Sequence, residues 1–162
     1  MPYFDITCLY YNPNITDEGE YNKRLAELVR FANEVSGEIN VIDGGYDPEG
    51  FISRVEGAGL TECPEGGKRC EMCFSMRLAK AYEVAAAGGY DYFTTTLTIS
   101  PLKDAKLINR IGSAIAEGHE NGPMWLPSDF KKNDGYKRSI ELSREYGLYR
   151  QDYCGCMYSR IE

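Results

Sequence analysis

The chain has 162 residues with 18 Lys+Arg, 25 Asp+Glu and one His, a formal net charge of −7. That length suits a single domain over residues 1–162, and a composition 43% hydrophobic and 12% aromatic excludes a disordered chain. No apolar run approaches the roughly 20 residues of a membrane helix, and Met1-Pro2-Tyr3-Phe4-Asp5 is no secretory leader, so a membrane protein is excluded. A cytoplasmic monomer is the expectation, in which six cysteines read as thiols for metal or redox work and not as a disulfide scaffold.

Strands alternate with helices along the chain. Asp5 to Tyr11 is β-branched and aromatic and stops at Asn12-Pro13-Asn14, as a buried strand does. Asp17 with Glu20 three residues on predicts a helix start; Leu25, Leu28, Val29, Ala32 and Val35 share its apolar face, and Gly37 ends it. Ile39 to Asp43 reads as a second strand, and Pro48 to Val55 as a short helix. A long helix is predicted from Cys70 or Glu71 to Gly88-Gly89, then a strand over Tyr90 to Thr98. Lys103 to Glu117 is helical, with Leu107, Ile108, Ile111 and Ile115 on one stripe. Met124 to Leu126 is a short strand, Tyr136 to Tyr146 a last helix, and the tail from Leu148 has no period. This order predicts a parallel α/β sheet with right-handed crossovers.

Charge is uneven: residues 1–66 hold 4 basic and 13 acidic groups, whereas residues 67–162 are nearly balanced. Such a balance argues against non-specific nucleic-acid binding but leaves room for a shaped RNA site toward the C-terminus. Lys131, Lys132, Lys137 and Arg138, with Phe130 and Tyr136, and then Tyr149 and Arg150, interleave cations with aromatic rings, as phosphate contact with base stacking requires. A solvated helix start and a tyrosine-packed tail explain the same composition equally well.

The chemistry sits in the cysteines. Cys63, Cys70 and Cys73 form C-x6-C-x2-C, and Cys154 and Cys156 form C-x-C. Cys70 and Cys73 fall on the first turns of a helix, whose unpaired N–H groups favour thiolate, and one turn brings both sulfurs to one side, as a metal or iron–sulfur cluster requires. Metal or cluster ligation, thiol–disulfide exchange and chance burial all remain open from spacing alone. Gly155 permits the tight turn a Cys154–Cys156 redox pair needs, and Cys8 reads as a small buried hydrophobe. Two motifs are set aside: Asp43-Gly44-Gly45 opens no long helix to face a phosphate, and His119 has no nucleophile elbow to serve.

The runs Phe93-Thr94-Thr95-Thr96-Leu97-Thr98-Ile99-Ser100-Pro101, Asp129-Phe130-Lys131-Lys132 and Gly135-Tyr136-Lys137-Arg138-Ser139 resemble the QueH family of non-cobalamin epoxyqueuosine reductases. So do Glu65 to Cys73 and Tyr149 to Cys156, and the resemblance extends from about Phe4 to Ser159. It implies a three-layer, nucleotide-hydrolase-like (HUP-like) α/β fold with helices on both faces. It also implies an oxidoreductase that converts epoxyqueuosine to queuosine at the tRNA wobble position, the last step of queuosine biosynthesis. The implied cofactor is a 4Fe-4S cluster with an adjacent iron ion, Cys70 and Cys73 among its ligands, and the implied partners are that tRNA and an electron-donor protein or small reductant. Within this resemblance Cys154 and Cys156 are candidates for a redox-active disulfide, and Asp129 and Tyr136 for the proton donor. Family members open with a further central strand ending in a Cys-Cys pair, which this sequence lacks. The expectation is therefore a truncated chain whose strands near Ile6–Tyr11 and Tyr92–Thr98 stand apart by one strand's width. The alternative reading is a non-catalytic tRNA-binding module with a structural Cys-ligated zinc.

Overall fold

A computed structural model describes residues 3–159. The expected alternation is present: β1 (Thr7–Tyr10), α1 (Glu18–Val35), β2 (Asn40–Asp43), α2 (Pro48–Gly57), α3 (Lys68–Ala87), β3 (Tyr92–Phe93), α4 (Ala105–Glu117), β4 (Met124–Trp125) and α5 (Gly135–Glu145), with 3-10 turns at Thr96–Ile99 and Met157–Ser159. Local chemistry sets the helix starts. Asp17 caps α1 by accepting from the Glu20 N–H at 2.6 Å, and Asp47 caps α2 with Pro48 just inside it. Helix α3 begins at Lys68, earlier than the pattern predicts, which moves Cys70 into its first turn.

The strands are parallel and short. β1 pairs with β2 in the register Cys8↔Val41 and Leu9↔Ile42, and β3 pairs with β4 as Phe93↔Trp125. Among the described residues these are two separate two-stranded sheets. β1 does not pair with β3; the sheets meet through side chains, Tyr90 Oη donating to Thr7 Oγ1 at 3.0 Å and Phe4 edge-on to Tyr92 at 6.0 Å. The strand predicted over Tyr90–Thr98 is cut to two residues. Its threonines capture backbone groups that a ladder would use: the Thr95 hydroxyl accepts from Leu97 N–H, and Thr94 Oγ1 donates to the Leu126 carbonyl.

Three apolar clusters hold these elements. The largest joins Phe74, Leu78 and Tyr82 of α3 to Phe93, Leu97, Ile108 and Trp125. A second packs Phe51 and Val55 of α2 on Cys73 and Cys156, and a third stacks Tyr10, Ile15 and Tyr21. His119 stacks on the Tyr82 ring at 4.4 Å. The Asp43 carboxylate accepts from Tyr21 Oη and Gly45 N–H, so the Gly-rich loop is engaged within the fold.

Helix α4 approaches Trp125 so closely that a Cβ on Gly112 would lie 2.3 Å from the indole, whose N–H is fixed on Asn109 Oδ1. Gly112→Ala is expected to cost about 1–3 kcal/mol in urea unfolding. Gly57→Ala, facing open space, should be neutral or stabilising by up to about 1 kcal/mol.

Candidate thiol site

The C-terminal tail is docked on the carboxyl end of β1 and on the start of α3. Asn14 Nδ2 donates to the Cys154 carbonyl at 2.9 Å, Arg24 donates to the carbonyls of Cys154 and Tyr153 at 3.3 and 3.2 Å, and Thr16 N–H reaches the Gly155 carbonyl. Gly155 is required twice over: its φ is +98°, and a Cβ there would lie 2.6 Å from Ile15. On the other side, Arg69 is 2% exposed and donates to the carbonyls of Leu60, Thr61, Cys63 and Tyr158. One guanidinium thereby ties the loop before α3, α3 itself and the tail into one unit. Its Nε and the Asn14 Oδ1 are buried without a hydrogen-bond partner among the described residues.

This docking brings thiols together. Cys73, 8% exposed, packs with Cys156, and Cys154 lies partly buried against the same cluster. Burial pushes the Cys73 thiol up to about 11, with the charges of Arg77 and Lys103 opposing that rise. Cys154 is driven the other way, well below the ordinary thiol range, by the hydrogen bond it receives from the Cys156 thiol; Cys156 rises in consequence. The pair therefore rests as a thiolate beside a thiol, sharing one proton. Cys70 is less buried, and its Sγ accepts from Gly66 N–H at 3.2 Å. Cys8 lies in β1 with its thiol raised by burial, and the Cys63 sulfur packs against Gly67.

The donors are soft thiol sulfurs, the chemistry that iron–sulfur clusters and zinc select. Cys70 and Cys154 both act electrostatically on Cys73, so the three thiols belong to one neighbourhood. Among the described residues no three His, Cys, Asp or Glu side chains converge on one ion, so these residues provide the right donor type but not a closed shell.

The other candidates divide by location. Asp129 is ion-paired to Lys131 at 3.0 Å and Lys132 at 3.6 Å, and those ammonium groups hold its carboxyl below the usual range. Lys131 also donates to the Lys103 carbonyl at 3.4 Å. Tyr136 and Lys137 are exposed at the start of α5, while Arg138 pairs with Glu141 and Glu145 on its surface. Tyr149 is committed to α1: its hydroxyl donates to Glu20, its backbone N–H to Glu27, and Lys23 lies over its ring. Arg150 bonds Ser143 of α5. Arg24, Arg77 and Asn14 escape the sequence reading, although Arg24 falls on the apolar stripe of α1 with Tyr21, Leu25 and Leu28, and Arg77 follows Cys70 and Cys73 at helical spacing. A cation on a face otherwise apolar or thiol-bearing is the signal that marks them.

These thiols gather where the tail meets the segment after β1 and the start of α3, in an α/β protein with parallel strands. The family model described as epoxyqueuosine reductase QueH matches residues 1–162, and the chain belongs to that family. Epoxyqueuosine reductase QueH of Staphylococcus epidermidis is 41% identical over 99% of this chain and 68% of its own length. The Streptococcus pyogenes protein of the same name is 41% identical over 96% of the chain and 61% of its length, and that of Thermotoga maritima 36% identical over 98% and 81%. The chain thus spans about three fifths to four fifths of these relatives. No helix among the described residues is long and apolar enough to cross a membrane.

Two outcomes are expected of this site. Arg69→Met leaves four carbonyls without their donor and should cost about 3 kcal/mol or more, with new proteolytic cleavage in the tail near Tyr149–Tyr153; Arg69→Lys, with one ammonium in place of a fork, should not restore it. Because its thiol is lowered, Cys154 should be thiolate at neutral pH and its alkylation by iodoacetamide already level there, whereas Cys156→Ala should make that rate climb until alkaline pH.

Proposed function

We propose that the chain is an epoxyqueuosine reductase acting on tRNA, removing the epoxide oxygen in a two-electron deoxygenation. The observation that carries this reading is the docking of Cys154-Gly155-Cys156 against Cys73 in a member of a family whose relatives bear that name. The overall change consumes two electrons and two protons and yields an alkene and water. The Cys154–Cys156 thiolate–thiol pair contains those electrons: it closes to a disulfide as it gives up two electrons and its one shared proton, and the second proton comes from solvent through a proton carrier. Gly155 and the Asn14, Arg24 and Arg69 clamps hold the two sulfurs for closure, and the buried apolar flank from Phe51 and Val55 excludes water. An electron-donor protein or small reductant then restores the dithiol, in the cytoplasm.

Cys70 and Cys73 would hold an iron–sulfur cluster with an adjacent iron ion, completed by ligands beyond those two. Such a group supplies single-electron transfer and a Lewis acid for the departing oxygen. Lys131, Lys132, Lys137, Arg138, Tyr149 and Arg150 remain the proposed tRNA contacts, and Tyr136 and Asp129 the proposed proton carriers, Asp129 needing first to take up a proton against its two lysines. The fold reading extends to a three-layer, nucleotide-hydrolase-like sheet.

Anaerobic turnover with epoxyqueuosine tRNA and a chemical reductant tests the proposal. The product nucleoside should lose one oxygen by mass spectrometry, and Cys154→Ser should abolish turnover. A protein with bound iron should absorb in the visible and lose that absorbance in Cys73→Ser. A colourless protein containing zinc and binding tRNA without turnover would establish the non-catalytic alternative instead.

A further inference from the structure

Helix α4 packs Leu107, Ile108, Ile111 and Ile115 on the largest apolar cluster, and Gly112 lets it lie directly against Trp125. Its other face carries Lys106, Arg110 and Ser113, at the i, i+4 and i+7 positions that share one side of a helix. With Pro127 of the loop after β4, these residues line an open groove of about 560 Å³. Asn109 fixes its wall. The Asn109 Oδ1 accepts from Trp125 Nε1 at 3.1 Å and from Ser128 N–H at 3.0 Å, and its Nδ2 donates to the carbonyls of Ala105 and Ser128. That amide is fully used inside the fold, so the groove is preformed. The same bonds attach to α4 the segment that leads to Lys131 and Lys132, and Lys131 donates to the Lys103 carbonyl just before the helix.

The charge of this face runs against the composition of the chain. Acidic residues outnumber basic ones by seven overall, yet residues 103–116 and 127–138 together hold seven basic and three acidic groups. Lys106 and Arg110 are exposed, and among the described residues neither side chain makes an ion pair or a hydrogen bond; the Ser113 hydroxyl is equally unengaged. On other helices Arg24, Arg30 and Arg138 each meet a glutamate three or four residues away. Helix α4 instead sets two cations four residues apart, an arrangement that by itself weakens a helix. Glu117, at the far end of α4, is too distant to neutralise them. Lysine, arginine and serine donors are the groups that take phosphate oxygens of a nucleic-acid backbone. A protein-docking face centres on aromatic or large aliphatic side chains, and the described residues lining this groove include none.

We propose that Lys106, Arg110 and Ser113 form a track for the phosphodiester backbone of RNA along the outer face of α4, continuous with the contacts at Lys131 and Lys132. This rests on the RNA-substrate reading above and extends its interface to a helix that carries no cysteine. The track acts on binding and orientation of the substrate and takes no part in the chemistry.

The test uses the full chain and a fluorescein-labelled anticodon stem-loop RNA, with anisotropy followed over a series of KCl concentrations. Lys106→Gln and Arg110→Gln should each weaken binding about three- to tenfold and lower the log–log salt slope by about one unit, while Arg110→Lys should keep the slope. Arg54→Gln, which removes the same charge from an exposed position on α2, should change neither. In parallel, acetylation of Lys106 by N-hydroxysuccinimide acetate, read by peptide mass, should be slowed several-fold by the RNA. If Lys106→Gln and Arg110→Gln melt like the wild type and bind with unchanged affinity and slope, while Lys132→Gln still weakens binding, the α4 track is overturned with the RNA reading intact. Equal losses in Arg54→Gln would also overturn it, because net charge alone would then account for the effect. Failure of the wild type to bind the RNA would overturn the RNA reading and the track together, and slower reduction of the two α4 variants by an acidic flavodoxin would then assign the groove to a protein donor.

Discussion

One buried cation organises the site. Arg69 is enclosed with no ion pair among the described residues, and carbonyls from two chain segments accept from its two terminal nitrogens. The desolvation of an ion amounts to several kcal/mol, and a hydrogen bond from a charged donor returns about 1.5–3 kcal/mol, so the guanidinium is tolerable only while all of its acceptors are in place. The loop at 60–63, the start of α3 and the turn at Met157–Ser159 are therefore coupled through one side chain. Cys63, Cys70, Cys73, Cys154 and Cys156 all lie on those segments or next to them. Remove the cation, and the loop before α3 and the tail lose the one side chain that ties both to the start of α3, leaving the Asn14 and Arg24 bonds and the Phe51–Val55 packing to hold the tail.

The fold supplies the place for this unit. Parallel strands deliver their carboxyl ends to one edge, and loops leaving that edge carry the chemistry of open α/β proteins. Here the loop after β1 provides Asn14, Ile15 and Thr16 as the bed of the tail, and the segment after β3 provides Lys103. The loop after β4 provides Asp129 and Lys131. These three segments follow strands of two separate two-stranded sheets among the described residues.

The sequence made much of this legible, and the reason differs by element. Helices α1, α2 and α4 have side-chain caps, and the stripe through Ile108 reports its packing face directly, because cap and period are local properties. The strand after Tyr90 is less legible: β-branched threonines raise strand propensity, yet their hydroxyls captured the backbone instead. Cys70 and Cys73 are visible from helical spacing, whereas the meeting of Cys73 with Cys156 spans 83 positions and depends on Arg24, Arg69 and Asn14 binding backbone carbonyls. Contacts to carbonyls leave no pattern in side-chain identity. The tail without a period is for that reason the part of the chain whose placement the sequence hides best.

The account stands on the claim that the tail brings Cys154 and Cys156 to Cys73 in the native protein. The most direct measurement is cross-linking of the reduced chain with dibromobimane, a short thiol-bridging reagent, followed by peptide mass spectrometry. A bridge joining Cys73 to Cys154 or Cys156, formed in buffer and lost in urea, is the expected result. Bridging confined to the Cys154–Cys156 pair in buffer, with Cys73 never joined to the tail, would contradict it.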